Sequence, residues 1–468
     1  MPRDRLSPLD ASFLYLDGPV TCNQAISINV LDGPIDFDRF CDEMRRKVGY
    51  IDRLRQIPVF SPFNLFHPTW NFDPTFDIRN HVRQLDLPAP GSEEQLRNAV
   101  EGISRIRLDR NRPLWSVYAI NGLSNDRSAY LLVLHHAISD GIGFARMASV
   151  FFDTRPYVDI ESRELQTIKP LPGGDARLFW GAADAVSALP RFLSTIVNGF
   201  AKLIHAFLSP EEGQPRKLLR RFRSAPALRL PFNAPLSGQL SYSNASFDLQ
   251  DIARIRAKHG GTINDVLLTI VTTAVQRYAS AEGIETESTY LRLLVPSNVR
   301  SDDTQETPGN FVAMSPVLAP LGEIPVSERL QMISGYTQAM KQCGLAKLIS
   351  LSITLSQSML TPPISRLAHR LFASPWLQRK MNRPNTPPSF NLVVTNVPGP
   401  PMQTYIAGQK IVDISVLVPL LPSIGLVCGG LSHQGKLSVT FTGDKKLVPD
   451  IDALSSYSHD AFRELLEA

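Results

Sequence analysis

The sequence predicts an α/β protein built as two halves of similar style, and three observations carry that reading. Apolar runs of strand length alternate with amphipathic helical stretches up to about residue 170 and again after about residue 230. The stretch between them is rich in proline and basic residues. Of 468 residues, 43% are hydrophobic and 20% charged, near the globular mean, which excludes disordered, collagen-like and coiled-coil chains.

The elements follow in order. Residues 24–31 (QAISINVL) alternate as a strand does, and 36–49 read as a helix that an Asp could cap and Gly49 stops. Residues 93–106 read as a second amphipathic helix, and 129–136 (AYLLVLHH) as a buried strand. From Ser139 to Asp153 the period turns helical, with Ser139 or Asp140 as N-cap. In the second half, 248–259 and 263–280 read as helices; 289–295, 390–395, 411–418 and 436–442 read as strands. The uncharged run 414–431 is long enough to cross a membrane, yet Pro419, Pro422, Gly425, Gly429 and Gly430 interrupt it. Two buried strands joined by a turn explain it better.

Between the halves, apolar residues recur at helical spacing from Phe192 to Leu208, followed by a basic run and a proline-punctuated linker. The expected organisation is an N-terminal half over 1–175, a helical and basic connector over 176–230, and a C-terminal half over 231–468. The net charge is only +4, too small an excess to argue for nucleic acid. It concentrates in residues 216–229, which hold six basic residues and no acid. Cys22, Cys41, Cys343 and Cys428 show no CxxC spacing, which fits reduced thiols in the cytosol. The N-terminus lacks the apolar core of a signal peptide.

The sharpest constellation is His135-His136-Ala137-Ile138-Ser139-Asp140-Gly141. A strand delivers two adjacent histidines to its end, and alternation sends them to opposite faces, so only one faces a given cavity. A histidine held by a sheet at the edge of open space suits a general base. The same residues also fit two satisfied core polar groups and a helix cap. No His/Cys cluster lies nearby, so a metal site is not expected. No GxSxG elbow or P-loop appears.

HHxxxDG resembles the signature of coenzyme A-dependent acyltransferases of the chloramphenicol acetyltransferase-like fold, which includes peptide-synthetase condensation domains. The context is similar to the bacterial and plant wax ester synthase/diacylglycerol acyltransferase family. Leu6 to Asp10, Phe76-Asp77 to His81-Val82, and Leu108 to Trp115 with its Pro113-Leu114-Trp115 core resemble that family's blocks. So do Thr262 to Val266 (an ND motif), Gly309-Asn310, and Asn396 to Pro400. Departures occur at Pro296 to Arg300, at Ser432 to Gly435, and at Gly238-Gln239-Leu240 where an arginine pair is usual. They leave the HHxxxDG chemistry alone and bear on acceptor choice.

The resemblance implies two acyltransferase-like domains with the active site in a channel between them. His136 would be the general base on an acceptor hydroxyl, with His135 orienting or packing and Asp140 anchoring the turn. Gly141 would permit close backbone approach. Asn264 is the candidate oxyanion donor, or else a helix N-cap; Asp265 belongs to the same motif. Pro113, Leu114 and Trp115 would shape the acyl or acceptor channel, although a tryptophan in such a place, taken alone, is more often core. No resident cofactor is implied, acyl-CoA being a co-substrate. Acceptors would be diacylglycerol or a fatty alcohol. The expected setting is cytoplasmic, peripheral to anionic membranes or lipid bodies, with the 191–208 helix and its basic run as an interfacial anchor or as a packed helix and solvated linker. The alternatives are an acyltransferase using a carrier-protein thioester, or a non-catalytic lipid-body binding protein.

Overall fold

The computed structural model describes residues 4–18, 20–156, 171–187, 194, 197–198, 213–298, 312–345, 348–349, 351–352, 362–383 and 386–468. The Val299-Arg300 and Gly309-Asn310 blocks lie outside them, as does the 191–208 stretch apart from Ser194, Val197 and Asn198.

Two six-stranded sheets form the frame. The first runs in the spatial order Tyr405–Ile406, Gln409–Leu417, Gln24–Leu31, Arg127–His135, Trp115–Leu123, Val82–Asp86. The second runs Leu240–Asp248, Lys436–Asp444, Leu426–His433, Leu392–Pro398, Tyr290–Asn298, Val312–Pro320. The 24–31 strand is antiparallel to both neighbours: Ile26 faces Val133 on one side and Leu417 on the other. Leu417 belongs to the second half of the chain. The halves therefore exchange material, the C-terminal strands Tyr405–Ile406 and Gln409–Leu417 completing the N-terminal sheet.

The caps follow the expected chemistry. Asp36 accepts from the Arg39 N–H at 3.1 Å and opens the helix Phe37–Val48. Ser92 and Gln95 form a reciprocal capping box on Glu93–Ser104. Asp140 accepts from the Gly143 N–H at 2.9 Å, opening Gly141–Phe151. The 216–229 run differs from its expected linker form. Residues Gly213–Ser224 are helical, and Leu218 and Phe222 join the apolar core of the second sheet. Their four-residue spacing puts them on one face while Arg216, Lys217, Arg220 and Arg223 stay exposed.

The uncharged 414–431 run forms two strands, Gln409–Leu417 and Leu426–His433, joined across 418–425. Its glycines serve close approach. A Cβ on Gly429 would stand 3.1 Å from the Val416 carbonyl oxygen, and one on Gly430 would stand 3.1 Å from Leu267 Cδ2. A large buried cluster fills the second half around the helix Ile263–Ala281. A second cluster, with Trp115, Phe40 and Tyr130, fills the first.

Candidate active site

Side chains of both sheets line a cavity of about 160 Å3. From the first half come Leu9, Phe13, Leu134, His136 and Phe144; from the second, Leu294, Val393, Val397 and Leu431. The wall is apolar save for a few groups, among them His136, Ser139 and Thr395.

Both histidines border the cavity, against the expectation that only one would, but their surroundings differ. His135 is 3% exposed, and its Nε2 lies 2.9 Å from Asp17 Oδ2. Its Nδ1 accepts from the Ala137 N–H at 3.0 Å, which fixes the proton on Nε2 as the donor to Asp17. Asp17 also accepts from the Asn23 N–H and side-chain amide, at 3.1 and 2.9 Å, and pairs with Arg110 at 3.2 Å. Burial works against the Asp17 carboxylate, but the His135 and Asn23 hydrogen bonds outweigh it and hold its pKa below the usual carboxylate range. His136 is half-buried, borders the cavity, and stacks on Phe13 with ring centroids 4.5 Å apart.

Asp140 and Gly141 also border the cavity. Asp140 is 2% exposed and caps the helix behind the histidine. A Cβ on Gly141 would lie 2.9 Å from Val397 Cγ2, so the second half packs directly on the first turn of that helix. Ser139 is 3% exposed, and its Oγ has no hydrogen-bond partner among the described residues.

Other expected residues stand elsewhere. Asn264 is exposed and is not a wall residue; its Oδ1 accepts from Asn396 Nδ2 at 2.7 Å. It is not the N-cap either. Thr262 takes that place, its Oγ1 accepting from the Asp265 N–H while Asp265 Oδ2 accepts from the Thr262 N–H. Asp265 is thus a buried capping-box partner, held further by Thr337 Oγ1 at 2.6 Å. Leu114 and Trp115 are fully buried and, with Pro113, lie outside the cavity wall. Trp115 Nε1 donates to the Leu54 carbonyl at 2.7 Å, and its ring stacks on His81 at 4.5 Å. A large aromatic with a satisfied N–H anchors the first core there. Asp17 and Phe13 carry no motif in the sequence, and Ser139 stands out there only as an alternative helix cap. Ser7-Pro8, a cap followed by proline at the first helical position, was the available signal for the helix Pro8–Leu16 that carries Phe13 and ends beside Asp17.

A strand-end histidine facing an apolar cavity that two sheets share places the protein among the HHxxxDG acyltransferases. Within that class it belongs to the wax ester synthase/diacylglycerol acyltransferase family. The family's catalytic-domain model matches residues 6–267 and its C-terminal-domain model residues 309–466. A putative diacylglycerol O-acyltransferase of Mycobacterium tuberculosis is 28% identical over 473 residues, covering 99% of this chain and 90% of that protein. Another from that organism is 30% identical over 415 residues, covering 87% and 85%. Among solved structures, the wax ester synthase/diacylglycerol acyltransferase from Marinobacter aquaeolei VT8 superposes with a TM-score of 0.67 at 20% identity, covering 98% of each chain. The starter condensation domain of rhizomide synthetase, in complex with C8-CoA and Leu-SNAC, gives 0.56 at 16%, covering 99% and 94%.

Proposed function

We propose that this enzyme transfers a fatty acyl group from acyl-CoA to the hydroxyl of a diacylglycerol or long-chain alcohol, with His136 as the base. The observation that carries this is a polar, half-buried imidazole set in a largely apolar cavity. His136 takes the acceptor's proton as its oxygen attacks the thioester carbonyl. The tetrahedral intermediate collapses, the C–S bond breaks, and the imidazolium returns the proton to the leaving thiolate. One base between two bound substrates lowers the barrier through orientation as well as proton transfer, so no acyl-enzyme is required.

The developing oxyanion wants a donor inside the cavity. Ser139 supports that role better than Asn264, because it lines the wall and its buried hydroxyl is unclaimed among the described residues. Phe13, Phe144, Leu294 and Val393 offer an apolar surface suited to an acyl chain. No resident cofactor or metal takes part in this reaction.

Acceptors of this kind dissolve in lipid, so the enzyme works in contact with a membrane or lipid body, reached from the cytoplasm. No helix among the described residues is long and apolar enough to cross a bilayer, which fits peripheral attachment.

The test is direct. Purified protein given labelled palmitoyl-CoA and a panel of hexadecanol, dioleoylglycerol and short alcohols should form wax ester or triacylglycerol. His136→Ala should lose about 10²–10⁴ in rate while keeping its fold. Wild-type turnover in a folded His136→Ala variant, or transfer only from a carrier-protein thioester, defeats the reading.

A further inference from the structure

The helix Pro362–Phe372 is inverted relative to an ordinary surface helix. Its buried residue is Ser365, 4% exposed, and His369 beside it donates from Nδ1 to the Ser365 carbonyl at 2.6 Å. The outward stripe is apolar: Ile364, Leu367 and Leu371 are 53%, 58% and 50% exposed. Residues at i, i+3 and i+7 share one face, so these three form a continuous ridge. The next helix, Pro375–Met381, adds two more exposed apolar side chains, Trp376 at 67% and Met381 at 40%. A globular helix in water turns its apolar stripe inward. A contiguous exposed stripe of this kind marks an interaction surface.

The charges around the ridge select the partner. From 362 to 383 there are five Arg or Lys residues, Arg366, Arg370, Arg379, Lys380 and Arg383, and no acid. Lys380 Nζ lies 5.3 Å from the centre of the Trp376 ring. Exposed leucines, an interfacial tryptophan and unopposed cations with long apolar stems match the junction of acyl chains and anionic headgroups. We infer that the face made by Pro362–Phe372 and Pro375–Met381 seats this enzyme on an anionic lipid surface.

The location gives that contact a purpose. Pro362–Phe372 packs against Pro8–Leu16, where the His369 and Tyr15 ring centroids are 6.2 Å apart. That second helix supplies Leu9 and Phe13 to the cavity wall, and Phe13 stacks on His136. Pro362–Phe372 also packs on the turn Pro62–Asn64, whose Phe63 is 84% exposed. Lipid bound there is one helix away from the base. The inference rests on the proposed lipid acceptor and specifies the surface that meets it.

The experiment uses the full chain and sedimentation with phosphatidylcholine vesicles, plain or with about 30 mol% phosphatidylglycerol. Wild-type protein should pellet with the anionic vesicles at low salt and be released as salt rises. Two variants divide the face: Leu367→Ser with Leu371→Ser and Trp376→Ser, and Arg370→Gln with Arg379→Gln, Lys380→Gln and Arg383→Gln. Each surface cation strengthens such binding about fivefold, so removing four should weaken it by roughly several hundredfold at low salt. Both variants should keep wild-type rates on a short soluble alcohol, which shows an intact fold and leaves the acyl-transfer reading standing. Equal vesicle binding by folded variants overturns the inference, as does a wild-type protein that ignores anionic vesicles and instead self-associates through this face.

Discussion

Phe13 lies face to face with His136, the ring centroids 4.5 Å apart and the planes 21° from parallel. The contact fixes one face of the imidazole that serves as base in the proposed reaction. Such stacking contributes about 0.5–1.5 kcal/mol. Phe13→Ala should therefore cost roughly three- to tenfold in kcat without unfolding the protein, and Phe13→Leu should cost less. Single-turnover kinetics with a soluble alcohol would read it; an unchanged chemical rate in Phe13→Ala removes the ring from the catalytic geometry.

Ser139 offers a test in which rate and stability move apart. Its hydroxyl is buried without a partner among the described residues, a state that costs about 1–3 kcal/mol. Ser139→Ala should hold or raise the melting temperature. If the hydroxyl donates to the oxyanion, kcat should fall about 10²-fold with little change in KM. A variant as fast as wild type and more stable would leave the hydroxyl a packing defect.

Asp17 and His135 form a buried pair next to His136, the proposed base. Because the carboxylate's folded pKa lies below its unfolded value, its contribution is present above the ordinary carboxylate range and is lost as pH falls below it. Asp17→Asn keeps an acceptor for the His135 Nε2–H but removes the charge, and should destabilise less than Asp17→Ala, which strands a buried donor at about 1–3 kcal/mol. Denaturant midpoints at pH 7 and pH 3 decide it. The deficit of Asp17→Asn relative to wild type should shrink toward pH 3.

Gly141 and Val397 report on the fit between the halves. Alanine at 141 would put Cβ 2.9 Å from Val397 Cγ2, and overpacking of this kind costs about 1–3 kcal/mol. Gly141→Ala should thus be destabilising, and Val397→Ala should partly rescue it through positive coupling in a double-mutant cycle. Purely additive losses would show that the contact relaxes freely.

Local periods revealed most elements of this fold, because a strand such as 24–31 or a capped helix such as Phe37–Val48 carries its pattern within itself. Sheet membership is different. Nothing in the alternation of 409–417 says that it pairs with 24–31 across nearly 400 residues of chain, so a division into sequential halves misses the exchange. The basic run looked like a linker because its arginines dominate the composition, whereas two apolar residues four apart hold it to the core. At the site, His136 and Asp140 were legible from strand-end and cap chemistry. Trp115 was assigned to a channel by resemblance, but its Nε1 bond to Leu54 and its stack on His81 are tertiary facts that only folding reveals. Asp17 is hidden for the same reason, being separated from His135 by 118 residues.

His67 sets an acid limit on the helix that carries Phe13. Its Nδ1 is 3.1 Å from the Tyr15 hydroxyl, and the two rings stack at 6.1 Å. Burial, reinforced by the nearby Arg5 charge, lowers its pKa to about 4. The unfolded chain binds a proton at this histidine near the ordinary value of about 6.5, while the folded one resists until about 4. Between those two values the unfolded state holds more protons, so stability declines as pH drops through that window and the loss levels off below it. Wild-type denaturant midpoints should fall steadily from pH 7 to pH 4, and His67→Gln, which cannot ionise, should flatten that part of the profile while retaining a polar partner for Tyr15. The same slope in wild type and His67→Gln would place the acid sensitivity on other groups.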